Sequence, residues 1–234
     1  MRMPPRGAVP YTGHAVVPRR AVRDRPMSGP EPEFRGDFDV HLTVAAGDAE
    51  RLRAWARENG VKFTHIVLER GAVPSQPMLT VRGAGTLSAR RAAAAALSAR
   101  LRDENFKVVR VKIEAAPWNE DVPRTDEDAA LMPGRYFEHH VKVAVRGDPA
   151  PLAAVAAAHG AHVSRNARRR RADGSHERFV TQRCRGVALS TALRRFEALL
   201  SDLGSHGYAV LEAEREFVVH DDNPGADHGW IEER

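Results

Sequence analysis

Apolar and polar residues alternate through Phe38-Asp-Val-His-Leu-Thr-Val44, and the alternation returns in Phe137-Glu-His-His-Val-Lys-Val143. A period of two over this length predicts a half-buried β-strand at each place. Each strand is followed by Gly-Asp (Gly47-Asp48 and Gly147-Asp148), then by a short helical stretch ending in glycine. The two helices are expected over Ala49–Asn59, before Gly60, and Pro149–His159, before Gly160. Asp48 and Asp148 can accept hydrogen bonds from first-turn amides, and the glycines suit a left-handed C-terminal cap.

Two extended segments follow in each half: Val61–Glu69 and Pro77–Arg82, then His162–Ala167 and Arg178–Arg185. Each half continues with a longer helix, Leu87–Glu104 or Ser190–Leu203, the second with Leu193, Phe196, Leu199 and Leu200 at helical spacing. Each closes with an alternating strand, Phe106–Glu114 or Tyr208–Val219. The order is β-α-β-β-α-β twice. The expected fold class is α+β: two tandem ferredoxin-like modules with antiparallel sheets, related by a pseudo-twofold axis.

Parity then sorts the side chains. On the first strand Phe38, Val40, Leu42 and Val44 face the helices, leaving Asp39, His41 and Thr43 on the other face. The neighbouring last strand adds Arg110, Lys112 and Glu114 to that face. The second half offers Glu138, His140 and Lys142 with Glu212, Glu214 and Glu216, while His139 faces its helices. If the two polar faces meet, they enclose a cleft with His41 and His140 near its centre.

Charge changes the picture only locally. The formal net charge is +5, and six arginines against Asp24 in residues 1–25 account for all of it. With Pro4, Pro5, Pro10 and Pro18 and no hydrophobic period, residues 1–35 are expected to form a disordered basic arm. Met27 offers an alternative start. Residues 36–116 form module 1, 117–134 an acidic, proline-bearing linker, 135–220 module 2 and 221–234 an acidic tail. A basic balance confined to one arm does not favour nucleic acid as a partner. No apolar run is long enough to span a membrane. The single cysteine, Cys184, excludes an internal disulfide and fits a cytoplasmic location.

Two histidines in related positions can serve as general acid and base, since imidazole titrates near neutrality. This layout, with His41-Leu-Thr43, resembles the two-histidine phosphoesterase superfamily, which carries one His-x-Thr/Ser motif in each lobe of a duplicated fold. His140-Val-Lys142 departs from that pattern, lysine replacing the hydroxyl. The resemblance implies His41 and His140 as catalytic residues, with Thr43 and Lys142 holding phosphate. Lys112, Arg165, Arg183 and Arg185 are further candidate substrate ligands, because guanidinium forks suit phosphate or carboxylate. Residues 165–185 hold eight arginines against Asp173 and Glu177.

A second resemblance is to a family of uncharacterised bacterial proteins, from about Phe38 to Ile231. It rests on Phe63-Thr-His-Ile-Val-Leu-Glu-Arg-Gly71, Ser75-Gln-Pro-Met78, Tyr136-Phe-Glu-His-His-Val-Lys142 and Gly160-Ala-His-Val-Ser-Arg-Asn166. Further along it rests on Arg178-Phe-Val-Thr-Gln-Arg183, Glu216-Phe-Val-Val-His-Asp-Asp-Asn-Pro224 and Gly229-Trp230. It implies no activity.

Three functional readings follow. The first is an enzyme or binder acting on a phosphorylated or otherwise anionic small molecule or nucleotide in the inter-module cleft. The second is a non-catalytic ligand-sensing or scaffold protein in which the same cleft is only an interface. The third is a metal-dependent enzyme using His140, Glu138 and tail residues such as His220, Asp221, Asp222, Asp227 and His228. No tight metal-ligand spacing and no phosphate-binding glycine loop occurs, so neither a cofactor nor a metal is expected.

Overall fold

The computed structural model describes residues 31–170 and 174–231, and of 168–170 the backbone only. The expected arm up to residue 30, Arg171 and Asp173 of the arginine-rich hairpin, and the end of the tail lie outside the described residues.

The first half runs β1 (Gly36–Val44), α1 (Ala49–Glu58), β2 (Lys62–Leu68), β3 (Ser75–Gly85), α2 (Leu87–Asp103) and β4 (Val108–Ala115). A one-turn helix, α3 (Asp126–Ala130), lies in the connection, closed by a capping box between Thr125 and Asp128. The second half repeats the order with β5 (Tyr136–Val145), α4 (Ala150–Ala158), β6 (Ala161–Arg170), β7 (His176–Arg185), α5 (Leu189–Ser205) and β8 (Val210–Asp221). Every strand and long helix expected from the pattern is present, and the α+β duplication stands.

The helix ends follow local chemistry. Gly60 and Gly160 sit just past α1 and α4 at φ +65° and +63°, the left-handed cap anticipated at both places. Asp148 accepts a hydrogen bond from the Ala150 amide at 2.9 Å. Asp48 differs: a short 3-10 turn precedes α1, and its carboxylate instead pairs with Arg51 at 2.8 Å.

Within each module the first strand is central. β1 lies antiparallel between β3 and β4, and β5 lies antiparallel between β7 and β8. The modules then share their edges. β2 pairs with β6 through Ile66↔Asn166, Val67↔Arg165 and Leu68↔Ser164, and β4 pairs with β8 through Lys112↔Asp221 and Ile113↔His220. The result is one closed barrel in the order β1-β3-β2-β6-β7-β5-β8-β4. Closure satisfies the backbone donors and acceptors that two separate sheets would leave at four edges.

The helices cover the outside of this barrel, so the apolar cores lie outside it and the polar residues inside. In module 1, Phe38, Val40, Leu42 and Val44 pack with Leu52 and Trp55 of α1 and Leu87 and Leu101 of α2. In module 2, Val141 and Val143 pack with Leu152 of α4 and with Phe196, Leu199 and Leu203 of α5. Burying each such side chain contributes roughly 1.5–3 kcal/mol. His139 faces this outer layer, as parity requires: it stacks on Phe196 and bonds Gln182 at 3.1 Å. None of the described helices is long and apolar enough to cross a membrane.

Candidate functional site

The barrel encloses a cavity of about 250 Å³, near the lower end for small-molecule sites. Asp39, His41, Thr43, Arg110, Lys112, Glu138, His140, Lys142, Glu212, Glu214 and Glu216 line it from β1, β4, β5 and β8. Ile66, Leu68, Met78, Phe179 and Trp230 supply an apolar lining, the first four from β2, β3 and β7. The polar faces that each module could not use in its own core thus form one interior. Of the candidate ligands, Thr43, Lys142, Lys112 and Arg183 join the two histidines there; Arg165 and Arg185 are exposed and outside the lining. Arg185 instead stacks over the ring of Tyr136 at 4.2 Å.

The two histidines occupy matching positions. His41 lies opposite Thr80 on β3 and Lys112 on β4; His140 lies opposite Thr181 on β7 and Glu214 on β8. His41 Nδ1 is 2.9 Å from Thr80 Oγ1, and His140 Nδ1 is 3.0 Å from Thr181 Oγ1. Nε2 of His41 is 2.6 Å from Glu114 Oε2, while Nε2 of His140 is 3.3 Å from Glu138 and 3.6 Å from Glu216. A carboxylate can only accept, so His41 Nε2 donates to Glu114.

Charges inside the barrel are closely matched. Lys112 Nζ contacts Glu114 at 2.6 Å and also pairs with Glu138. Arg183 binds Glu138 at 2.5 Å and Asp227 at 2.6 Å. Arg110 grips Asp221 through two hydrogen bonds and reaches Asp227 at 3.0 Å. Lys142 pairs with Glu212, and Arg82 joins Asp39 and Glu214 at the rim.

These pairings decide the protonation states. Burial alone would raise Glu114, but Lys112 and His41 hold it well below the usual carboxylate range. Burial would likewise raise Glu138, and Arg183 and Lys112 depress it instead. Glu216 goes the other way: burial, the adjacent Glu114 charge and a hydrogen bond to Glu114 push it well up, which favours the protonated form that donates to Glu114. Burial and the Glu138 charge raise Tyr136, whose buried hydroxyl has no hydrogen-bond partner among the described residues.

Two groups of side chains have the composition of a metal site: Asp39, His41 and Glu216, and Glu114, Glu138 and His140. Within each, one oxygen or nitrogen per residue lies within 4.8 Å of the others. Each draws two residues from one module and the third from the other. Glu216 and Glu114 are exchanged across the β4–β8 seam, which sequence spacing could not reveal.

The C-terminal segment shuts one end of the barrel. Asp227 is buried against Arg110, Arg183 and Gln76, the last donating to it at 3.0 Å. Trp230 Nε1 donates to the Val163 carbonyl at 3.0 Å, and the Ala72 amide to the His228 carbonyl at 2.8 Å. Gly71, at φ +114°, lets the chain pass: a Cβ there would stand 3.0 Å from the His228 oxygen. Sequence reading marked this stretch only as an acidic tail, because the partners that bury Asp227 come from three distant strands. The opposite rim carries Lys62, Arg82 and Glu212, all exposed.

The chain matches no family model, and no curated protein matches it. Among solved structures it is similar to the small subunit of acetolactate synthase from Thermotoga maritima, with 14% identity, 79% of this chain and 96% of that chain covered, and a TM-score of 0.30.

Proposed function

We propose that the chain is a non-catalytic binding protein that takes a small amphiphilic ligand with a cationic or hydrogen-bond-donating head into the barrel. The head would rest on the wall formed by His41, Glu214, Glu216 and His140. The apolar body would lie against Ile66, Leu68, Met78, Phe179 and Trp230. The observation that carries this reading is the cavity's composition: seven Asp and Glu side chains line it against five lysines and arginines. Arg110, Lys112, Lys142 and Arg183 each already meet a carboxylate. An anion entering would have to break those buried pairs, whereas a cationic head would compete with the exposed Arg82 for Asp39 and Glu214.

The second reading is phosphoester chemistry, with His41 and His140 as acid and base and Thr43, Lys142, Lys112 and Arg183 as ligands. It is favoured by both imidazoles lining the same cavity with Thr43 and Lys142. Calorimetric titration of the full chain separates the two. Hexylamine and phenethylamine should bind, and inorganic phosphate and cyclic AMP should not. Binding of phosphate or the nucleotide without the amines would sink the first reading and revive the second.

A further inference from the structure

The duplicated barrel is not symmetric in charge, and the asymmetry has a chemical meaning. The pseudo-twofold that carries His41 onto His140 carries Asp39 onto Glu138 and Glu216 onto Glu114, so the two groups of potential ligands are copies of one arrangement. It also carries Lys112 onto Glu214, because these residues lie opposite His41 and His140 on β4 and β8. Lys112 places its ammonium against Glu114 and Glu138. One copy therefore contains its own cation, supplied by the chain. The other copy has a carboxylate, Glu214, where the lysine would stand. The basic side chain paired with its Asp39 and Glu214 is Arg82, which contacts them from the rim with 64% of its side chain exposed. An arginine so exposed can swing into solvent at little cost.

We infer that Asp39, His41 and Glu216 bind one divalent transition ion, of the zinc, manganese or ferrous class, in the position that an ammonium fills in the other half of the barrel. Two carboxylates and an imidazole suit such borderline ions better than calcium, which prefers oxygen alone. Bonds of about 2.0–2.2 Å place opposed ligand atoms about 4 Å apart, so small side-chain rotations close the 4.8 Å group onto one centre. The imidazole is already oriented for the task. Metal-bound histidine normally donates its other ring N–H to an oxygen, and His41 Nδ1 lies 2.9 Å from Thr80 Oγ1. In the ion-free fold Nε2 donates to Glu114 at 2.6 Å; the ion displaces that proton and the one on Glu216, and with Nδ1–H then donated to Thr80, Nε2 presents its lone pair. The site shares His41 and Glu216 with the wall proposed above for the ligand's head, so ion and amine compete there, but the inference stands without that reading because the ion needs no amine.

Cobalt(II) titrated into metal-free full-length chain tests this directly. One ion per chain should bind, with visible d–d absorption typical of a site containing nitrogen. His41→Ala should weaken binding by at least about 100-fold, beyond the roughly 10–100-fold lost when only a supporting partner is removed. If that variant does not fold, Glu214→Lys gives the same test at a side chain that is 35% exposed. It puts the ammonium into the second copy and should abolish binding while the thermal midpoint is kept. Absence of d–d bands in the wild-type chain at millimolar cobalt overturns the inference, and so does binding that survives Glu214→Lys unchanged.

Discussion

Lys112 of β4 and Glu138 of β5 form an ion pair inside the barrel, although they belong to different modules and their strands are separated by β8. The same ammonium holds Glu114, so one lysine bridges a carboxylate from each half. Both glutamates are 1% exposed at the side chain and Lys112 is 13% exposed. Removing one member of such a buried set leaves the others uncompensated. Lys112→Met should therefore lower unfolding free energy by about 3–5 kcal/mol. Adding Glu114→Gln should recover part of that loss, because one of the stranded charges disappears. Urea unfolding of the wild type, both single variants and the double variant measures the coupling; strict additivity would refute it.

Burial drives His139 in the opposite direction from a surface histidine. Its ring, packed against Phe196 and bonded to Gln182, is lowered from 6.5 to about 4 by desolvation. The unfolded chain takes up this proton near pH 6.5 and the folded chain only near 4, so stability rises with pH between those values. At and above pH 7 both states are neutral and the penalty vanishes; below about 4 it is complete, at up to about 3 kcal/mol. His139→Phe should flatten the pH 4–6.5 slope of the melting temperature. An unchanged slope would mean that the ring titrates freely in the fold.

The repeat was legible because periodicity is local: strand alternation at Phe38–Val44 and the heptad-like Phe196, Leu199, Leu203 face need no knowledge of partners. Parity alone placed Asp39, His41, Glu138 and His140 on a face away from the helices, and assigned His139 to the helix side. Closure was not legible. It depends on β2 meeting β6 and β4 meeting β8, and edge strands such as Lys62–Leu68 carry no sequence mark naming their neighbour. The same blindness hid the exchange of Glu114 and Glu216 between ligand groups. It also made lysine and arginine inside the barrel look available to phosphate, since the carboxylates that hold them come from strands far away in sequence.

Equivalent positions should respond equally to equivalent changes. Gly60 and Gly160 both take left-handed backbone after their helices, and a Cβ at either would meet no atom within 4 Å. Gly60→Ala and Gly160→Ala should each cost about 1–2 kcal/mol from backbone strain alone. Chemical denaturation of the two variants checks this; a large difference would show that one helix end is held by something the duplication does not share.

Asp227 fastens the C-terminal segment over one end of the cavity. Burial would raise its carboxyl, but Arg110 and Arg183 overcome that and hold it below its ordinary value, with Gln76 assisting. A depressed folded pKa means the stabilisation is intact above the unfolded value, about 3.9, and is lost as pH falls through the folded one. Asp227→Ala removes the contact at every pH and takes from the buried Arg110 and Arg183 one of the two carboxylates that each holds, at a cost of about 3 kcal/mol. The Ala72 and Trp230 amides, held through the same segment, should exchange with solvent much faster in this variant than strand amides of β1. Trp230 lines the cavity, so its fluorescence should also become more accessible to acrylamide. If exchange and quenching stay at wild-type levels, the end of the barrel is closed by the Trp230–Val163 and Ala72–His228 bonds without help from Asp227.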